Sequence, residues 1–140
     1  MKRIIDAKGA ILGRMASTVA KAALLGDDIE VVNCEAAIIS GNKYSIQRKW
    51  LGRKDMGQPV HGPFFPRMPD RFVRRVVRGM LPHKNTRGKE AFERVQCHIG
   101  LPAEFTGKAL ERIAEAELSR FKGTKYITVR DICAFMGGKV

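Results

Sequence analysis

The segment RFVRRVVRG places Arg71, Arg74, Arg75 and Arg78 at i, i+3, i+4 and i+7. At about 100° per residue these four guanidinium groups share one arc of a helix roughly 100° wide. Phe72, Val73, Val76, Val77, Met80 and Leu81 fill the opposite side. A guanidinium is a planar fork that grips phosphate through two parallel hydrogen bonds, where an ammonium acts as a point charge. An ordinary solvated helix face mixes signs at i, i+4 spacing. Here no acid separates the arginines, so they repel one another until an array of anions neutralises them. The stripe continues through His83, Lys84, Arg87 and Lys89 of HKNTRGK, and Arg67 precedes it.

A second basic segment, GNKYSIQRKWLGRK, sets Lys43, Arg48, Lys49, Arg53 and Lys54 around Tyr44 and Trp50. Aromatic rings among cations can stack on unpaired bases. Trp50 and Leu51 read first as anchors of a helix in the core and second as such a stacking surface. Phe64 and Phe65 carry the same two readings as loop anchors or base stackers.

Other chemistries lack their residues. The first strand-to-helix turn, DAKGAILGR, offers Gly9 and Gly13 without the G-x-G-x-x-G that cradles a dinucleotide. GLPAEFTGKA resembles a phosphate-binding P-loop only loosely: its glycines are too far apart, and Ala109 stands where a magnesium-binding hydroxyl belongs. His61, His83 and His98 are isolated, with no triad or metal spacing. Cys34, Cys97 and Cys133 have no C-x-x-C spacing and read as reduced, mostly buried thiols. No catalytic residue, cofactor, metal or small-molecule substrate is therefore expected.

The charge balance points the same way. The chain has 140 residues, a size that suits one domain with a real core, and a net charge of +12. Residues 41–100 carry fourteen Lys/Arg against four Asp/Glu, whereas residues 1–40 balance at five each. A surplus of this kind speaks of a polyanionic partner: nucleic acid first, an anionic membrane second. No apolar run approaches the roughly 20 residues of a membrane span, and the N-terminus lacks a signal-peptide core. A cytosolic protein with no membrane partner is expected.

The elements that must position these cations follow from periodicity. A strand at 3–6, a helix at 12–26 and a strand at 29–33 form a βαβ unit, hence a parallel sheet with a right-handed crossover. A helix is expected at 44–54 and an irregular loop at 55–67, where three prolines and two glycines fall. The arginine helix spans 69–81, opened by Pro69 and Asp70 and closed by Pro82. A helix at 86–95, a strand at 95–100 and a strand beginning at 126, or a helix over 129–137, complete the chain.

At this length of motif the sequence resembles a known family. FPRMPDRFVRRVVRGMLPHKNTRGKEAFERVQCHIGLP, with its core VRGMLPHK, is similar to the signature region of the large-subunit ribosomal protein L-thirteen family in its archaeal and eukaryotic form. IDAKGAILGRMAS and VVNCEAAIISGNK resemble its N-terminal half, and KYITVRDICAFMG resembles the archaeal ending. The resemblance implies a single three-layer α/β/α domain over residues 1–140, with a four-stranded, mainly parallel central sheet. It implies a non-enzymatic constituent of the large subunit in the cytoplasm, embedded in its rRNA, contacting neighbouring ribosomal proteins and supporting early assembly. It also admits a regulatory role on messenger RNA, which some members have. Reversing Arg74 and Arg75 together is expected to abolish subunit incorporation and leave the fold intact.

Overall fold

A computed structural model describes all 140 residues. The chain runs β1 (Lys2–Asp6), α1 (Leu12–Leu24), β2 (Asp28–Val32), β3 (Ile38–Ser40), α2 (Lys43–Lys54), α3 (Pro69–Gly79), α4 (Thr86–Glu93), β4 (Val95–Cys97), β5 (Tyr126–Thr128) and α5 (Val129–Phe135). Alternation of strands and helices gives the α/β class expected, with β1, β2 and β4 in one parallel sheet of that order. Its register sets Ile5 beside Val31, and Ile29 and Val31 beside Val95 and Cys97.

The sheet is not the single four-stranded one that the family resemblance implies. The place beside β1 is taken by an irregular extended segment, where the Glu111 amide donates to Ile4 and its carbonyl accepts from Asp6. This strap covers an edge that would otherwise expose unpaired backbone groups. The other short strands form a separate antiparallel pair, with Ile38 opposite Thr128 and Ser40 opposite Tyr126. The cause is local. After β2 the backbone turns at Asn33, held in the left-handed region at φ 56° with its side-chain amide 2.8 Å from the buried Asp6 carboxylate. A 3-10 turn then redirects the chain before β3 begins. The expected strand at 95–100 ends at Cys97, because Gly100 has φ 67° and its carbonyl accepts from the Asn33 amide instead of continuing the ladder.

One core joins these elements. From α1 come Leu12, Met15, Ala16, Val19 and Ala23, all buried at helical spacing; Gly26, at φ 105°, stops the helix after Leu24 and not at residue 26. From α3 come Phe72, Val73 and Val77, which are fully buried. A tilted aromatic cluster ties α2 and the loop to α3: the Trp50 ring lies 4.7 Å from Phe72 and 5.2 Å from Phe65. Trp50 is thus a core anchor, as is Phe65, while Phe64 is 70% exposed. The helix of the arginines ends at Gly79, two residues before the expected limit; Leu81 is still buried but Met80 turns out to solvent.

Gly88 explains the tight corner between α3 and α4. A Cβ there would stand 1.9 Å from the Pro82 carbonyl oxygen, a backbone atom that cannot swing aside. Glycine at this position lets α4, which carries Arg87 and Lys89, press against the turn that carries Lys84.

Candidate nucleic-acid interface

The four arginines of α3 do not form the uniform arc that periodicity suggests. Arg71 is exposed, whereas Arg74, Arg75 and Arg78 are half-buried. The Arg74 guanidinium is occupied inside the protein: Nε donates to the Val95 carbonyl at 3.0 Å, Nη2 to the Phe92 carbonyl at 3.4 Å, and the group stacks 4.2 Å from the Phe92 ring centroid. It straps α3 to the start of β4 and the end of α4. The expectation that Arg74 reversal spares the fold is therefore corrected: a carboxylate there faces two carbonyl oxygens and leaves their donors missing.

Arg75 and Arg78 present a different picture. The Arg75 guanidinium lies 4.8 Å from the Phe65 ring centroid, and Arg53 of α2 lies 4.7 Å from that of Trp50. Stacking on aromatic faces holds a guanidinium in place without using its hydrogen-bond donors. The proton affinity of Arg75 is lowered, first by burial and then by the neighbouring charges of Arg78 and Arg53. The aromatic cluster that glues α2 to α3 therefore also props up a group of like charges.

Lys49, Arg53, Arg75 and Arg78 line one cavity between α2, α3, the N-terminus of α1 and β3, together with His83. Arg14 of α1 joins them, and sequence reasoning missed it. Its signal was hidden because residues 1–40 balance in charge, yet four of their five acids, Asp6, Asp27, Glu30 and Glu35, are engaged elsewhere. Lys43, Arg48 and Lys54 lie on α2 outside this cavity, and Arg71, Lys84, Arg87, Lys89 and Arg67 surround it in sequence without lining it. All of these except Lys54 are exposed, and Lys54 is half-buried.

The ion pairs divide the molecule. Arg3 pairs with Glu111 and with Asp27 at 3.6 Å, Lys2 with Glu30 at 3.3 Å, and Arg112 with the buried Asp6 at 3.3 Å. Arg94 meets Glu90 at 4.0 Å and the N-terminal amine meets Asp27 at 3.3 Å, while the His98 ring shares a 2.6 Å hydrogen bond with Glu30. No cation from Lys43 to Lys89 has a carboxylate partner.

The rival sites are accounted for by the fold. GLPAEFTGKA passes through a 3-10 turn at Ala103–Phe105 and leads into no helix, so it has no helix N-terminus to hold a phosphate. Cys34 and Cys133 are buried and Cys97 half-buried; burial pushes the Cys133 thiol up to about 12, and the Cys34 thiol is raised first by the neighbouring Cys97 thiol and then by burial. Thiols so raised are poor nucleophiles. No group of three metal-ligating side chains converges, and no helix is long and apolar enough to cross a membrane.

Comparison with known proteins agrees with the motifs. The sequence model of the family described as Ribosomal protein L13 matches residues 1–104. The large ribosomal subunit protein uL13 of Methanopyrus kandleri is 48% identical over 136 residues, covering 96% of this chain and 86% of that protein. The uL13 proteins of Methanococcoides burtonii and Haloarcula marismortui are 42% and 41% identical, covering 97% and 96% of this chain and 98% and 90% of their own lengths. A match of this extent, on residues that carry both the βαβ unit and the arginine helix, establishes that the chain belongs to the ribosomal protein L13 family, which is structural and not enzymatic.

Proposed function

We propose that this protein is a structural constituent of the large ribosomal subunit that binds the large-subunit rRNA and supports early assembly of the particle. The 140 residues act as a single ribosomal-protein domain, in contact with neighbouring ribosomal proteins, in the cytoplasm. The observation that carries the reading is the run of cations from Lys43 to Lys89 without one internal carboxylate partner, mounted on packed helices.

The mechanism is neutralisation at fixed spacing. Arg75, Arg78, Arg53 and Lys49, with Arg71, Lys84, Arg87 and Lys89 beyond them, displace counterions from closely packed phosphates. Lys43, Arg48, Lys54 and Arg67 extend the same surface. Arg74 serves the interface indirectly, by holding α3 against β4. Because the helices are anchored by Phe72, Val73, Val77 and Trp50, the charges keep their positions, and an RNA of matching shape is favoured over RNA in general. No feature of the fold favours a role on messenger RNA, and none is proposed.

Sedimentation of a source-cell lysate through sucrose, at low and then high salt, tests the proposal. Co-migration of the chain with the large subunit that persists at high salt is the expected result. A chain found at the top of the gradient at low salt would overturn it.

A further inference from the structure

The cavity between α2 and α3 has a volume of about 890 Å³, within the range of ~300–1,000 Å³ typical of pockets that enclose a ligand. Its composition is unlike that of a surface made only for phosphate. The floor is apolar, with Trp50, Phe65, Val76 and Ile39, and the exposed side chains of Met56 and Met80 stand at its margin. The cations Lys49, Arg53, Arg75, Arg78 and Arg14 line the same cavity, Arg75 and Arg53 lying over the rings of Phe65 and Trp50, and no carboxylate is among the lining residues.

A bare phosphate gains nothing from an apolar floor, and a regular RNA duplex presents a convex sugar-phosphate surface whose bases are stacked inside. An apolar chain segment, in turn, gains nothing from five cations. The occupant that matches both parts is a base removed from its stack with its flanking phosphates attached. The base buries on the floor, against flexible methionines that adapt to its outline, while the phosphates meet the guanidinium rim. Stacking on Phe65 and Trp50 already fixes Arg75 and Arg53 with donors free, so binding orders few side chains. The crowding of Arg75 by Arg78 and Arg53 is relieved by the incoming negative charge.

We propose that this cavity is the receptor for an unstacked nucleotide in a single-stranded or bulged segment of the bound RNA. The proposal rests on the rRNA-binding reading and narrows it: helices α2 and α3 read an extruded base, while the cations outside the cavity follow the backbone.

The chain contains one tryptophan, and Trp50 lines the cavity, so its fluorescence reports occupancy. The full-length protein is titrated with hexa-adenylate, with the same hexamer carrying abasic sites at its two central positions, with a 12-base-pair RNA duplex and with free AMP. Hexa-adenylate is expected to change Trp50 emission saturably and to bind about tenfold or more tightly than the abasic hexamer. The duplex is expected to bind, by anisotropy, without changing that emission. Met80→Glu and, separately, Met56→Glu place a carboxylate at the margin from exposed positions; each is expected to weaken hexa-adenylate about tenfold with an unchanged thermal midpoint. Equal binding of intact and abasic hexamers, with no change in emission, would overturn the inference and leave backbone binding standing. AMP binding as tightly as the hexamer would overturn it in favour of a free-nucleotide pocket. Failure of hexamers and duplex alike would overturn the RNA-binding reading itself.

Discussion

Two regions of this protein are rich in charge and use it in opposite ways. Along the outer edge of the sheet, Arg3, Lys2 and Arg112 each have a carboxylate from Asp27, Glu111, Glu30 or Asp6. Those charges join segments far apart in sequence: the strap at 111–112 is fastened to β1 by them and by backbone hydrogen bonds. Across α2, α3 and the following turn, cations outnumber acids and none is paired within the chain. Pairing turns charge into an element of the fold, and its absence leaves the energy of neutralisation to a partner. Arg74 marks the border. It belongs to the arginine helix by sequence and to the fold by the carbonyls it holds.

Reversing unpaired charge has the largest expected effect. Arg75→Glu with Arg78→Glu is expected to lower affinity for large-subunit RNA about a hundredfold or more, equivalent to about 2.7 kcal/mol. The urea midpoint should stay or rise, since mutual repulsion is removed. Filter binding alongside unfolding curves checks both halves; a loss of stability that tracks the loss of binding would contradict the division. Gly88→Ala attacks the corner that carries the remaining cations. Overpacking against the Pro82 carbonyl is expected to cost about 1–3 kcal/mol in urea unfolding, and a neutral result would mean that α4 can move away freely.

Arg74→Ala sharpens the border. Loss of its hydrogen bonds to Val95 and Phe92 is expected to cost about 1–2 kcal/mol of stability, less than a fully buried charged pair because the group is half-exposed. Arg71→Ala, one turn earlier and exposed, is expected to leave stability unchanged and to weaken RNA binding slightly. Equal destabilisation by the two would show that Arg74 is not a strap. The paired edge gives the smallest effect. The hydrogen bond from Arg3 holds the Glu111 carboxyl below its ordinary range. A depressed carboxyl contributes stability above its unfolded value, and that contribution is lost as pH falls through the folded one. For so exposed a pair the size is below about 1 kcal/mol. Glu111→Gln is expected to flatten the acid limb of the stability profile slightly and leave the profile near neutral pH almost parallel to the original.

Much of this was legible in the chain because it is local. The spacing of Phe72, Val73 and Val77 against Arg71, Arg75 and Arg78 fixes which side of α3 is buried whatever lies opposite. The βαβ start follows from Leu12, Met15 and Val19 between two β-branched runs. What could not be read depends on distant partners. The capture of Arg74 in place of Arg75 is decided by where the carbonyls of Phe92 and Val95 come to lie. The three residues of β3 carry too short a pattern to announce a strand whose partner lies nearly ninety residues later. Arg14 was concealed by a local charge balance that only the ion pairs undo.

Whether the cations left unpaired in the fold are the ones that neutralise RNA is decided by the slope of log affinity against log salt for large-subunit RNA, measured for the native chain, for Arg75→Gln with Arg78→Gln, and for Arg3→Gln with Arg112→Gln. The first pair is expected to lower the slope by about 2, one for each phosphate no longer neutralised, and the second to leave it unchanged. Equal slopes for all three proteins, or a reduced slope confined to the paired-edge variant, would contradict it.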